Sequence, residues 1–182
     1  DGPGADPPGY RAGGGETDER GGVTELRVNG QVHEVQIKPH DRLSDVLREK
    51  LGLYGVRVSC AEGECGSCTV LIDGQPVTAC LVLAMKAEGR EVTTIEGLGT
   101  PDDLHPIQEA LIEEQGFQCG FCTPGIAMVT KAFLDRNPDP SEDEVASAVS
   151  GNICRCGAYP YIVRSVLTAA RKLRENAVVE DL

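Results

Sequence analysis

The chain has 182 residues, with 17 Lys+Arg against 29 Asp+Glu and a formal net charge of −12 at pH 7. Such a surplus repels phosphate backbones, which excludes nucleic acid as a partner and otherwise only favours solubility. Apolar residues make up 40% and aromatic residues 4%, with no Trp, so any core is aliphatic; the length suits one large or two small domains, and no apolar run approaches the roughly 20 residues of a membrane-spanning helix.

Residues 1–22 are rich in Gly, Pro and charge, the composition of a segment that cannot order itself. We expect an extended N-terminal arm that lies along a partner surface, with Tyr10 and Pro7-Pro8 covered by another chain. The start at Asp1 is compatible with a removed signal, a removed tag or renumbering.

From Val23 the pattern changes. Glu25-Leu26-Arg27-Val28 and Val32-His33-Glu34-Val35-Gln36-Ile37 alternate apolar and polar residues around Asn29-Gly30, which predicts a hairpin. Leu43, Val46, Leu47 and Leu51 recur at helical spacing after Asp41, a candidate N-cap. A Gly-rich, Cys-bearing loop follows, then strands over residues 69–72 and 75–83 around Asp73-Gly74, and a last strand over 92–95. Together residues 23–96 read as a compact β-rich domain.

Residues 96–100 form a linker, and the remainder reads as helical. Thr100-Pro101-Asp102-Asp103 predicts the start of a helix carrying Leu104, Ile107 and Leu111. Thr123-Pro124 predicts a second, with Ile126, Val129, Phe133 and Leu134 inward, ending before Pro138. Ser141-Glu142-Asp143-Glu144 is a capping box for a third. Tyr159-Pro160 opens a fourth with Ile162, Val163, Val166, Leu167 and Ala170 on one face; the tail after Arg174 is expected to fray. Four helices on short loops, over residues 97–175, suggest an antiparallel bundle, with residues 176–182 as a C-terminal tail.

The eight cysteines fall into two groups of four. The first is Cys60, Cys65, Cys68 and, after eleven intervening residues, Cys80; this C-x4-C-x2-C…C spacing is that of plant-type ferredoxins, whose four thiolates hold a [2Fe–2S] cluster. Gly63 and Gly66 let backbone N–H groups turn toward sulfur, as an anionic cluster requires. The second group is Cys119-Gly-Phe-Cys122 and Cys154-Arg-Cys156, one tetrathiolate set drawn from two loops. Cys122 and Cys156 each precede a predicted helix start, so partial positive charge points at the site. Disulfides are a poor account of eight Cys in a chain with its own cores. Zinc is the competing account, weaker for the first group and open for the second on spacing alone.

Three stretches carry a resemblance that covers residues 23–175: Gly63-Glu64-Cys65-Gly66-Ser67-Cys68-Thr69-Val70, Gln118-Cys119-Gly120-Phe121-Cys122-Thr123-Pro124-Gly125 and Gly151-Asn152-Ile153-Cys154-Arg155-Cys156. Together they resemble the small iron–sulfur subunit of the molybdenum hydroxylases, the xanthine oxidase and aldehyde oxidoreductase family. The resemblance implies an α+β protein: an N-terminal β-grasp, plant-type ferredoxin-like domain followed by a C-terminal four-helix-bundle [2Fe–2S]-binding domain. It implies two [2Fe–2S] clusters here, a molybdopterin cofactor on a large partner subunit and FAD on a medium partner subunit, in a heterotrimer or a dimer of heterotrimers. Electrons are then expected to run from molybdenum through the Cys119/Cys122/Cys154/Cys156 cluster and the Cys60/Cys65/Cys68/Cys80 cluster to FAD. Gln118 matches the residue that hydrogen-bonds the pterin, and Cys156 the ligand whose sulfur approaches it.

Gly157-Ala158-Tyr159-Pro160 departs from the commoner Thr-Gly-Tyr after the last cysteine and looks more like the equivalent stretch of bacterial aldehyde and N-heteroaromatic oxidoreductases. The expected address is cytoplasmic, with twin-arginine export to the periplasm as the alternative raised by the N-terminal arm. His33, His40 and His105 read as solvated or structural, Tyr159 and Tyr161 as packed between helices, and Asp102, Asp103, Glu113 and Glu114 as solvated helix faces. Arg155 reads equally as a neutraliser of cluster or cofactor charge and as a surface ion pair. No nucleotide-binding Gly loop or Ser/His/Asp set is evident, so the chain carries electrons and no catalytic groups of its own. A free-standing di-cluster ferredoxin and a zinc-stabilised interaction module are the alternatives.

Overall fold

The computed structural model describes residues 21–180, with side chains described to residue 177. The arm expected over residues 1–22, with Tyr10 and Pro7-Pro8, lies outside the described residues apart from Gly21 and Gly22, and Gly22 already opens the first strand.

Strands β1 (Gly22–Val28) and β2 (Gln31–Ile37) pair antiparallel in full register from Gly22↔Ile37 to Val28↔Gln31. The turn works because Asn29 and Gly30 both adopt positive φ, 53° and 73°, which matches the strands' right-handed twist. Strict alternation buries Leu26, Val28, Val35 and Ile37 on one face. Strands β3 (Thr69–Ile72) and β4 (Gln75–Thr78) form a second hairpin on Asp73-Gly74, again with both φ positive. Strand β5 (Glu91–Thr93) joins the hairpins, parallel to β1 and antiparallel to β3, in a five-stranded mixed sheet of order β2-β1-β5-β3-β4.

Two expectations shift here. The strand predicted over 75–83 ends at Thr78, because the chain turns into a 3₁₀ segment, Ala79–Leu81, that points Cys80 inward. The strand predicted over 92–95 is instead Glu91–Thr93, and a further 3₁₀ turn, Ile95–Gly97, begins the linker. Helix α1 (Leu43–Asp45) runs directly into a π-helical turn, Val46–Lys50, with Leu51 N–H reaching Val46 O at 3.1 Å. Asp41 is not its N-cap; that position is Arg42. The Asp41 carboxylate instead accepts from Lys50 Nζ at 2.6 Å and from Lys38 N–H at 3.0 Å, and these bonds hold its pKa below the ordinary value. Leu43, Val46 and Leu47 pack beneath the sheet.

Four helices follow: α2 (Pro106–Glu113), α3 (Thr123–Leu134), α4 (Glu142–Val149) and α5 (Tyr159–Glu180). Helix α2 starts later than expected. Thr100 and Asp103 are spent on a short bridge with reciprocal backbone bonds, and His105 caps the helix. Its Nδ1 accepts from Ile107 N–H at 3.2 Å while Gln108 reaches back to His105 N–H at 2.9 Å, a reciprocal capping box built on His. The Ser141/Glu144 box of α4 forms as expected. Helix α5 runs to Glu180 rather than fraying after Arg174; Lys172 bridges Glu109 and Glu113 of α2, and Arg174 pairs with Asp139. The inward set holds in the main: Ile126, Leu134, Ile162, Val163, Val166 and Ala170 are buried, while Phe133 and Leu167 are partly so. Among the described residues no helix is long and apolar enough to cross a membrane.

The architecture is thus α+β, a mixed sheet domain followed by a helical one, and the two share a seam. Strand β3 is buried at all four positions: Val70 and Ile72 face the sheet core, and Leu71 packs on Met128 and Ala132 of α3. A continuous apolar strand, rather than an alternating one, is what two-sided burial requires. Met128 is fully buried in this seam. Met128→Ala is expected to cost about 2–5 kcal/mol, read as a lower thermal midpoint; a midpoint unchanged within error would show the seam to be loosely packed.

His105 yields a second expectation. Burial, with Lys131 adding, holds its pKa below the ordinary 6.5, and the capping bond needs the neutral ring. As pH falls through that ordinary value the unfolded chain takes up a proton before the folded one, so stability is lost on acidification until the folded pKa is passed. His105→Asn keeps a capping acceptor without the titration. Its stability relative to the parent should therefore rise between about pH 7.5 and pH 5; a constant gap would show that His105 does not titrate in that window.

Candidate metal centres

The register of the second hairpin builds the first pocket. Thr69↔Thr78 pairing places Ala79 against Cys68, with Ala79 N–H donating to Cys68 O at 3.2 Å, so Cys80 arrives beside Cys68. The two thiols are within hydrogen-bonding contact, and Cys65 lies close to Cys68. Cys60 completes the group through a thiol contact with Cys65. Cys65, Cys68 and Cys80 are buried and Cys60 is half-exposed.

The second pocket closes by pairs across its two loops: Cys119 contacts Cys156, and Cys122 contacts Cys154. Cys122 is the N-cap of α3 and buried, as is Cys154; Cys119 is exposed and Cys156 half-exposed. The predicted ligands thus meet pairwise within each group, Cys60 with Cys65 and Cys68 with Cys80 in the first, Cys119 with Cys156 and Cys122 with Cys154 in the second. Gln118 is exposed beside Cys119. Among the described residues no three Cys, His, Asp or Glu side chains form a ready site for a single metal ion, so the case for these pockets rests on the paired thiols and on the amides around them.

Those amides set the electrostatics. The Glu62 N–H, 3.4 Å from Cys60 Sγ, heads a set of donors that lowers the Cys60 pKa to about 7. Phe121 N–H lowers Cys119 in the same way. Cys154 is pushed up by burial, but the Ala158 N–H, the Cys122 thiol and the N–H groups of Cys156 and Gly157, in the turn that leads into α5, together outweigh it and lower its pKa. Burial prevails at Cys68, raised to about 11, and at Cys122, raised to about 12. Four thiols ringed by inward N–H groups are the donor set that a thiolate-ligated iron–sulfur cluster requires, and both pockets fit one. All eight cysteines are free of disulfides.

The two cluster loops touch. Ile153 N–H donates to Cys65 O at 3.0 Å, and Asn152 Nδ2 donates to Gly66 O at 3.0 Å. Gly125, in the first turn of α3, lies so close that a Cβ there would meet Gly66 O at 2.3 Å. The Arg57 guanidinium sits 6.0 Å from the centre of the Phe121 ring, joining the loops from another side. Asn152 is the residue that reading the sequence for chemistry missed; it stands two residues ahead of Cys154, and its partner lies in the other domain. Tyr159 and Tyr161 do not pack between helices, being 37% and 44% exposed. Tyr159 braces the second loop, its hydroxyl accepting from Cys154 N–H at 2.9 Å and donating to Asn152 O at 3.1 Å. Arg164 lies over the Tyr161 ring.

Residues 26–94 match the 2Fe-2S iron-sulfur cluster binding domain family, and residues 94–167 the [2Fe-2S] binding domain family. The chain is 42% identical over 164 residues to the aldehyde oxidoreductase iron-sulfur-binding subunit PaoA of Escherichia coli strain K12, covering 82% of this chain and 72% of that one. It is 42% identical over 147 residues to the nicotinate dehydrogenase small FeS subunit of Eubacterium barkeri, covering 81% of this chain and 94% of that one. The aldehyde oxidoreductase of Desulfovibrio desulfuricans superposes with a TM-score of 0.81 at 46% identity; the match covers 84% of this chain but only 17% of that larger one.

Separate pockets predict separable losses. Cys122→Ser should remove iron, about two per chain, from the helical domain alone, and Cys68→Ser from the sheet domain alone, each leaving the other's visible and electron-paramagnetic-resonance (EPR) spectra in place. Iron and acid-labile sulfide analysis checks this, and an equal loss of both spectra in either variant would contradict it.

Proposed function

We propose the route that electrons take through this chain, which belongs to the molybdenum hydroxylase family as its small iron–sulfur subunit, an electron-transfer component. Each cluster, when bound, accepts and releases a single electron. We assign Cys60, Cys65, Cys68 and Cys80 as ligands of one and Cys119, Cys122, Cys154 and Cys156 of the other, in a β-grasp domain over residues 23–96 and a four-helix-bundle domain over residues 97–175.

In this reading the helical domain faces a large subunit that holds molybdopterin. Gln118 binds the pterin through its side-chain amide, and Cys156 supplies the sulfur nearest to it. The exposure of Gln118 and Cys119 side by side, with Cys156 only half-covered, supports that orientation. The sheet domain passes electrons on to FAD in a medium subunit, the whole forming a heterotrimer or a dimer of heterotrimers. Aldehydes or N-heteroaromatic compounds are the substrate class, in keeping with the names of the relatives, an aldehyde oxidoreductase and a nicotinate dehydrogenase.

The observation that carries this reading is the direct hydrogen bonding between the two cluster loops. A relay needs its stations close together and held; two independent metal-stabilised modules do not. The chain's residues do the holding: buried thiols exclude water, amides neutralise sulfur charge, and the seam of Leu71, Met128 and Ala132 fixes one domain on the other.

The test is substrate-driven reduction of the purified complex. In Cys122→Ser, molybdenum should still be reduced by substrate while flavin reduction slows by about two orders of magnitude, the upper range for loss of a metal site's support. Undiminished flavin reduction would remove the proposed route, and a chain that purifies alone, iron-loaded and free of molybdenum would favour a free-standing ferredoxin.

A further inference from the structure

Resting on that relay reading, we propose that Asn152 is a positioning residue: its side-chain amide locks the two cluster loops in one mutual orientation and thereby sets the electron step between them. Asn152 is 2% exposed although polar. Its Nδ2 donates at 3.0 Å to Gly66 O, 86 residues away in sequence. That carbonyl is itself fixed, since it also accepts from Thr69 N–H at 3.1 Å and from the Thr69 hydroxyl at 2.7 Å. Asn152 is held equally firmly on its own side. Its N–H donates to Val149 O at 2.9 Å, and its carbonyl accepts from the Tyr159 hydroxyl, the same hydroxyl that receives Cys154 N–H.

The geometry explains why a side chain is needed. The neighbouring backbone bond, Ile153 N–H to Cys65 O, is a single directional link between the loops; the apolar seam and the Arg57–Phe121 contact add adhesion but little directionality. The bond from the adjacent Asn152 to the adjacent Gly66 is a second directional link. There is no room for a substitute contact. A Cβ on Gly66 would lie 2.6 Å from Asn152 Nδ2 and 2.8 Å from Gly151 O. Gly66 also sits at φ +68°, a left-handed conformation that glycine adopts without strain. The loops therefore approach closely at their backbones, and among the described residues Asn152 supplies a side-chain hydrogen bond from one loop to the other.

The test uses the complete complex with both clusters reduced, when each is paramagnetic. Dipolar coupling between them, read by EPR, depends on the cube of their separation and on their relative orientation. Asn152→Asp keeps the shape and removes the donor; Asn152→Ala removes both. Both variants should weaken or broaden the coupling and slow inter-cluster electron transfer about tenfold, the lower range for loss of a supporting contact around a metal site, with each cluster's own g-values retained. Unchanged coupling and rate, whatever happens to the thermal midpoint, would show Asn152 to be merely structural and overturn the proposal. If neither variant takes up both clusters, amide exchange in the unsubstituted complex decides. Strong protection of Ile153 N–H supports a fixed latch, and exchange at the rate of an open loop refutes it. Absence of one cluster from the unsubstituted protein would instead remove the relay reading itself.

Discussion

Crowding four sulfurs into a small, largely dry space is the constraint from which the rest of this molecule follows. Each thiolate repels the others and burial opposes ionisation, as the raised pKa values of Cys68 and Cys122 show. The countervailing charge within the chain comes from peptide N–H groups. Those inside a helix or a sheet are already committed to backbone carbonyls. Only turns and helix starts have donors to spare, and that is where most of the cysteines lie: the loop before β3, the N-cap of α3 and the turn ahead of α5. The regular elements hold these irregular segments in place. The β3–β4 hairpin delivers Cys80 to Cys68, and α3 and α5 bring Cys122 and Cys154 into contact.

A second constraint is that two such pockets must be adjacent without merging. Their domains have separate aliphatic cores, and the shared contact is made of small groups: Gly66, Gly125 and the Asn152 amide. Larger side chains at those glycines would force the loops apart, since a Cβ at Gly125 would overlap the Gly66 carbonyl outright. The apolar seam of Leu71, Met128 and Ala132 supplies adhesion near this polar latch. The seam supplies non-directional burial, and the hydrogen bonds select one orientation.

Much of this was legible in the sequence wherever one residue type has one local use. Asn29-Gly30 and Asp73-Gly74 specify turns through positive φ and Ser141…Glu144 specifies a helix start, all present, and the cysteines of each spaced group come into pairwise contact. Readings went astray where local signals had rivals. Asp41 could cap α1 or pair with Lys50, and the ion pair took it. Thr100-Pro101-Asp102-Asp103 looks like a helix start, yet His105 ahead of Pro106 is the one used. Residues 75–83 have strand composition, but the demand that Cys80 face the pocket ends the strand at Thr78. Helix α5 continues to Glu180, past its expected end at Arg174, and the pairs that Lys172 makes with Glu109 and Glu113 of α2 are a tertiary fact that no local pattern encodes. Asn152 escaped for the same reason, its partner lying in the other domain.

The distribution of burial around the sulfurs bears on what such a chain can do by itself. Each pocket has a side open toward solvent, at Cys60 in the first and at Cys119 and Cys156 in the second, whereas Cys65, Cys68, Cys122, Cys154 and the Asn152 amide between them are buried. A protein that performed chemistry would need the reverse: a cavity enclosing substrate, with acids or bases whose pKa values are tuned by one another. Outside the cysteines, the shifted groups among the described residues are helix caps and ion pairs such as Asp41, Asp73, Glu144 and Lys172. Exposed outer sulfurs with buried inner ones suit an electron carrier better than a catalyst. The fold spends polar interactions where the two cluster loops meet and leaves sulfur reachable at Cys60, Cys119 and Cys156.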